Sequence, residues 1–300
     1  MFEVWFLYAL ISSIFLGFTT IVDKLMLEKR LSSFSYFVAF LPPTMVICIC
    51  LLLSSPSDVF SLPYVIASIA GLASAVGYFF YVPSIRREEA SRIAALTSLS
   101  PAFVALLAVV LINEILSARS YLGMILMMLG SVLISYKGSS MRKIIPFSLI
   151  LILIAANLSF GVEQTLSKMS LDRISSFWPF LMMFMFGRFA VALPGLGIPS
   201  VRRKFASEIR ELNRDQVLTL GSGSIMWSLA IVLFFYAVSL GPVTLVATTN
   251  LICPLFTLFF AILITRFRPE ILREEIDNKT VALKLVAIVL IILGTCLIIT

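Results

Sequence analysis

Long apolar runs broken by short polar stretches repeat along this chain from one end to the other. The hydrocarbon core of a bilayer is about 30 Å thick, and about 20 apolar residues of helix cross it. Ten runs of that order predict spans at 4–22, 34–53, 63–85, 93–113, 120–136, 144–166, 175–198, 217–240, 243–265 and 280–299. The hardest division falls in the 50 uncharged residues from Gln216 to Thr265. That length is about twice what one tilted helix needs. Gly241-Pro242 near its middle supplies a turn, since proline lacks the N–H and clashes with the preceding helical turn. The runs are apolar on all sides and do not alternate in short segments, which disfavours β-barrel strands. The expected fold class is an all-α integral membrane protein with ten transmembrane helices.

Composition agrees: 60% hydrophobic and 13% charged residues lie outside the range of soluble globular chains. Glu3 and no basic residue precedes the first run, which stays uncharged to Val22. It is too long and wrongly flanked for a cleaved signal peptide and is expected to be kept as a span. Cys48, Cys50, Cys253 and Cys296 all lie in apolar runs and read as small hydrophobes, without disulfide or zinc spacing. The chain has no histidine, so the commonest metal ligand and the commonest general base are both missing. No aspartate falls inside a predicted span, and no GxxxxGK[ST] loop occurs. An intramembrane hydrolase, which needs a nucleophile with its base, paired aspartates or a metal, finds no support here. No cofactor, metal or nucleic-acid partner is expected; the expected partners are the lipid bilayer and a small-molecule substrate.

Charge sets an orientation. The loops after spans one, three, five, seven and nine hold 18 Lys and Arg, the others only Arg119, Lys168 and Arg173. Positive residues favour the cytoplasmic side, so the first group of loops is expected there, both termini outside, in the plasma membrane. The polar stretches Arg202 to Asp215 and Arg266 to Lys279 mix both charges and suit surface helices.

The two halves of the chain repeat. LGFTTIVDKLMLEK from Leu16 recurs as FGVEQTLSKMSLDR from Phe160 at an offset of 144, pairing Gly17 with Gly161 and Lys24 with Lys168. ASRIAALTSLSP ending at Pro101 matches VTLVATTNLICP ending at Pro254 at an offset of 153. GMILMMLGSVLIS from Gly123 matches AIVLIILGTCLII from Ala287 at an offset of 164. The order is kept and the offsets grow as loop insertions require. Two five-helix repeats, residues 1–138 and 144–300, follow; an odd number of crossings turns the second upside down, an architecture of secondary transporters with the substrate near the midplane.

With these segments, and with PAFVALLAVVLINE from Pro101 to Glu114 followed by YLGMILMMLGSVLIS from Tyr121, the chain resembles a ten-span member of the drug/metabolite transporter superfamily, in the EamA-like group. The resemblance implies export or exchange of small organic metabolites or drugs, and says nothing of which one. Two features depart from it. Glu114 has no aligned partner after the ninth span, and the resemblance implies cytoplasmic termini, opposite to the charge count. The alternative from another class is a non-catalytic or lipid-translocating subunit of a larger complex.

Several residues are candidates for chemistry. Pro101 and Pro254 are expected to kink spans four and nine and to free the carbonyls of Thr97 and Asn250, which then line a cavity or are satisfied by neighbours. Arg188 near the centre of span seven costs about 2.5–3.5 kcal/mol to insert. It is expected to face the interior, either holding an anionic or zwitterionic substrate through its planar fork or pairing with Glu163. Glu163 is placed about a turn from the end of span six, where contact with solvent is as good a reading as ion coupling. Tyr78, Tyr81, Trp227 and Tyr236 offer rings and hydroxyls to an organic substrate or simply pack. Lys24 and Lys168 sit at span ends, for gating or for snorkelling to headgroups. Arg86, Arg87, Glu88, Glu89 and Arg92 read as a solvated loop. Gly123, Gly130 and Gly294 suit close helix packing, within the molecule or in a homodimer.

Overall fold

The computed structural model describes residues 3–29, 31–54, 61–87, 96–134, 146–174, 176–267 and 278–299. Among them every regular element is helical. In chain order these are α1 Val4–Lys29, α2 Ser33–Ser54, α3 Leu62–Arg87, α4 Ser100–Ile112, α5 Ala118–Ile134, α6 Phe147–Leu171 and α7 Phe177–Ala190. There follow α8 Leu193–Gly197, α9 Pro199–Arg210, α10 Arg214–Leu240, α11 Val243–Thr249, α12 Cys253–Phe267 and α13 Asn278–Ile299. Five apolar stretches are long enough to cross a bilayer, and five shorter apolar helices accompany them. Together they follow the ten predicted spans, with α7 and α8 in place of the seventh and α11 and α12 in place of the ninth. The charge run from Glu88 to Arg92 lies outside the described residues.

Large apolar side chains such as Leu106, Val110, Phe186 and Leu293 remain exposed on the outside of the bundle. In hydrocarbon nothing is gained by hiding them, and helices associate instead through close packing and polar contacts. The closest packing is at glycines. A methyl group on Gly123 of α5 would fall 2.8 Å from the Gly294 carbonyl of α13, and one on Gly130 the same distance from the Ala287 carbonyl. These glycines therefore pack α5 on α13 within one molecule.

The contacts of the halves exchange in pairs. Helix α1 packs on α10 and α12, while α6 packs on α3 and α4. Gly17 meets Phe256 of α12, and Gly161, 144 residues on, meets Phe103 of α4, 153 residues before Phe256. The Ser13 hydroxyl donates to the Thr249 carbonyl at 3.4 Å, and the Asn157 amide donates to the Leu96 carbonyl at 3.0 Å, at the same two offsets. Swapping halves maps each contact onto another, and α5 with α13 onto themselves. A twofold axis between the halves requires this, and with five crossings in each half the axis lies in the membrane plane.

One pair of helices breaks the symmetry. Helices α3 and α7 touch backbone to backbone at Gly71 and Gly187, where an added methyl would fall 1.8 Å from the Phe184 and Ser68 carbonyls respectively. The corresponding pair, α2 and α10, packs less tightly than α7 on α3.

Several span boundaries differ from those read off the apolar runs, two of them with consequences for the site. Helix α1 continues past Val22 to Lys29 and takes Asp23 and Lys24 inside it, so an aspartate does lie within a span. The apolar run ends at Asp23, but the helix continues through it because the carboxylate has its own partner, the Tyr36 hydroxyl of α2, which donates to Oδ1. The seventh span ends its long helix at Ala190; Pro194 and Pro199 restart the chain as α8 and α9. Helix α9 presents Arg202, Arg203 and Lys204 outward and is tied down by Glu208. That carboxylate accepts from the Ser32 N–H at 3.0 Å and the Ser32 hydroxyl at 2.8 Å. Burial works against its ionisation, but the bonds from Ser35 and Ser32 and the charge of Lys204 outweigh it and hold Glu208 below the usual carboxylate range.

Candidate functional site

Thr44, Ser74, Trp227 and Ser228 fall at the midpoints of α2, α3 and α10, and Arg188 is reached midway along the path of α7 and α8. These residues meet. Arg188 donates from a terminal guanidinium nitrogen to the Ser74 hydroxyl. In the pair α2 and α10, the Thr44 hydroxyl donates to that of Ser228. Between α3 and α7 a guanidinium takes part where the other pair meets through hydroxyls.

Three rings surround the guanidinium. Its Cζ lies 4.9 Å from the ring centre of Trp227, 5.1 Å from that of Phe37 and 5.8 Å from that of Tyr78. A desolvated cation on an aromatic face gains about 0.5–2 kcal/mol, so the three rings together offset most of the insertion cost of an arginine. Glu163 of α6 faces the same place and is within reach of the Ser74 hydroxyl, whose proton is free to be donated once its oxygen accepts from Arg188. Glu163 and Arg188 attract one another across Ser74, without a direct ion pair. The Arg188 Nε is buried and has no partner. An unpartnered donor on a buried fork is a place for one more acceptor atom.

Glu163 is 7% exposed, which corrects its placement at the water interface. Helix α6 runs on to Leu171, two turns beyond Glu163, so the acid sits inside the bundle. With Asp23, it places a carboxylate inside each of two spans.

The other candidates lie elsewhere. Tyr236 stands at the far end of α10, 38% exposed, edge-on to Tyr8 at 4.8 Å and Phe177 at 5.5 Å; it matches Tyr81 in sequence only. Tyr81 packs edge-on to Phe160 at 6.5 Å and beside Leu149 and Leu153. Lys168 donates to the Val238 carbonyl at 3.1 Å and pairs with Asp172 at 2.9 Å, closing α6 against α10, whereas Lys24 makes no such contact among the described residues. Pro101 occupies the first turn of α4, where a missing N–H costs nothing. Before Pro254 the chain tightens into a 3-10 turn, Asn250–Ile252, and the Cys253 N–H donates to the Asn250 carbonyl. That carbonyl is therefore not orphaned, and the Asn250 side-chain oxygen accepts from Ser13 at 3.1 Å; Thr97 is partnered too. Glu114 accepts from the Val243 and Thr244 N–H groups, both at 2.9 Å, and so caps α11 from the other half, where the positive end of a helix favours a carboxylate.

Sequence reasoning passed over Ser74, Phe37, Tyr36 and Asp23. A serine or a phenylalanine in an apolar run carries no signal of its own. Asp23 did carry one, as the first charge after an uncharged run.

The profile of the EamA-like transporter family matches residues 3–136 and again 147–300. No curated protein matches the sequence significantly. Nineteen solved chains are similar in fold; one of them, described only as "Crystal structure of protein", aligns with a TM-score of 0.73 at 15% identity, covering 96% of this chain and 94% of that one. At that identity the likeness speaks for the fold alone.

Proposed function

Because the chain belongs to the EamA-like transporter family, which moves small molecules across membranes, we propose that it is a secondary transporter that alternates access to a site at Arg188. The substrate carries an anionic group, carboxylate or phosphate, that sits on the guanidinium fork between Trp227, Phe37 and Tyr78. The observation that carries this reading is the buried Nε of a midplane arginine, unpartnered among the described residues, whose guanidinium hydrogen-bonds to a neutral hydroxyl. Ser74 and Glu163 hold the fork in place while the site is empty, and the rings cover the organic part of the solute. The contact of α3 with α7 closes the face on which α3 begins, and the looser contact of α2 with α10 leaves the other face as the way in.

Reconstitution tests the proposal. The purified protein alone in liposomes is expected to exchange organic anions held inside for the same anions outside. A chain that needs other subunits would show no flux, and the reading as a component of a larger complex would replace this one.

The charge bias puts the end bearing α9 in the cytoplasm. A single cysteine introduced at Arg203, exposed on α9, in a background lacking the four native cysteines, is expected to react with an impermeant maleimide only after cells are opened. Reaction in intact cells would reverse the orientation.

A further inference from the structure

Asp23 is a carboxylate within the bilayer that no cation among the described residues answers. It lies about 10 Å along α1 from the helix midpoint, toward the face bearing α9. Its one hydrogen bond is from the Tyr36 hydroxyl. Among the described residues no lysine or arginine pairs with it. Lys24, next along α1, projects about 100° away around the helix. The titratable groups facing Asp23 are Tyr36 from α2, Tyr81 from α3 and Cys253 from α12, all uncharged at neutral pH in their ordinary state. Part of Asp23 remains accessible. The duplication does not demand it either: the matched residue, at the offset of 144, is Ser167.

Asp23 is also joined to Arg188. Tyr36, its partner, interacts with Tyr78, and the Tyr78 ring is one of the three around the guanidinium. A row of two tyrosines therefore connects a carboxylate that no described cation pairs with to a guanidinium that has no direct ion pair. An ion left unpaired in hydrocarbon is costly, and such residues mark substrate and ion pathways. The aromatic faces between them suit the stem of an organic solute, with a cation stabilised at one end by ring faces as well as by charge.

We propose that Asp23, held by Tyr36, is a subsite for the ammonium group of the transported solute, whose anionic group occupies Arg188. This rests on the reading of Arg188 as the anion site and narrows the substrate class to zwitterions whose charges are separated by a chain of several carbons.

Three probes of one length separate the two subsites: hexanoate, hexylammonium and 6-aminohexanoate, tested by thermal shift on the purified full chain at matched ionic strength. Each is expected to raise the melting temperature of the wild type, 6-aminohexanoate most, by about 2–4 °C when well above its Kd. Asp23→Asn is expected to lose the response to hexylammonium and keep that to hexanoate, while Asp23→Glu keeps both. Arg188→Gln is expected to lose the response to hexanoate alone. A full hexylammonium response in Asp23→Asn overturns the ammonium subsite and leaves the anion site standing. A full hexanoate response in Arg188→Gln overturns the anion site. A wild type indifferent to hexylammonium and to 6-aminohexanoate assigns Asp23 to a proton alone, and overturns the proposal. The wild type also supplies a test that needs no variant. Hexylammonium is expected to protect Asp23 from a hydrophobic carbodiimide, read by mass spectrometry, and undiminished labelling counts against the subsite.

Discussion

Arg188→Ala is expected to lower transport of anionic solutes in liposomes by about 10- to 100-fold, the worth of one or two hydrogen bonds to a charged group, while the protein still inserts and folds. Folding survives because two effects oppose one another. The substitution removes a charge that costs about 2.5–3.5 kcal/mol to place at the bilayer centre, and it removes three ring contacts worth about 0.5–2 kcal/mol each. Neither dominates, so the melting temperature is expected to move little. Substrate binding has no such compensation: without the fork, the anionic group has only the Ser74 hydroxyl. Arg188→Lys tests geometry apart from charge. It keeps the cation but not the planar fork that stacks between Trp227 and Phe37, and an intermediate loss is expected. Kinetics unchanged in Arg188→Ala for every solute carried would remove Arg188 from the substrate path and leave it as a structural partner of Ser74.

The helices and their duplication were legible because lipid imposes one rule on every span: enough apolar residues to cross, with all backbone groups bonded inside the helix. Gly17 and Gly161 were found by matching strings, and the structure gives them the same task against Phe256 and Phe103. Arg188 was found because an arginine in an apolar run is conspicuous. Its setting was not legible. Ser74 and Trp227 belong to other helices of the sequence, and nothing within an apolar run says which side of it faces the axis. Glu163 and Asp23 were misplaced for a related reason. Charge was used to end a span, yet a charge that finds a partner inside the bundle, as Asp23 does at Tyr36, lets the helix continue through it. Prolines misled in the opposite direction. The expected orphan carbonyl at Asn250 is taken up by a local 3-10 bond from Cys253, one of the adjustments by which membrane helices satisfy freed backbone groups.

The duplication is imperfect where α3 meets α7, and Gly187→Ala probes that place. A methyl at Gly187 falls 1.8 Å from the Ser68 carbonyl oxygen and 2.6 Å from its carbon. Both atoms are backbone, so no side chain can swing aside and α3 and α7 must part. Overpacking of this kind costs about 3 kcal/mol or more, which for a chain of this size corresponds to a fall of about 5–10 °C in melting temperature. Transport is expected to fall with it, because Arg188 is the next residue and Ser74 lies less than one turn beyond Gly71, the other half of the contact. Gly221→Ala is the control: nothing lies within 4 Å of a methyl at that position in α10, and it is expected to leave both stability and flux near those of the wild type. If Gly187→Ala behaved like Gly221→Ala, α3 and α7 would not meet in the stable state of the protein. If it behaves as expected, a limit on the transport cycle comes with it. In the proposed cycle, rocking the halves about the twofold axis brings α2 against α10 on the opposite face. That pair packs less tightly than α3 on α7, so a carrier working as proposed is expected to rest in the state closed by the glycines.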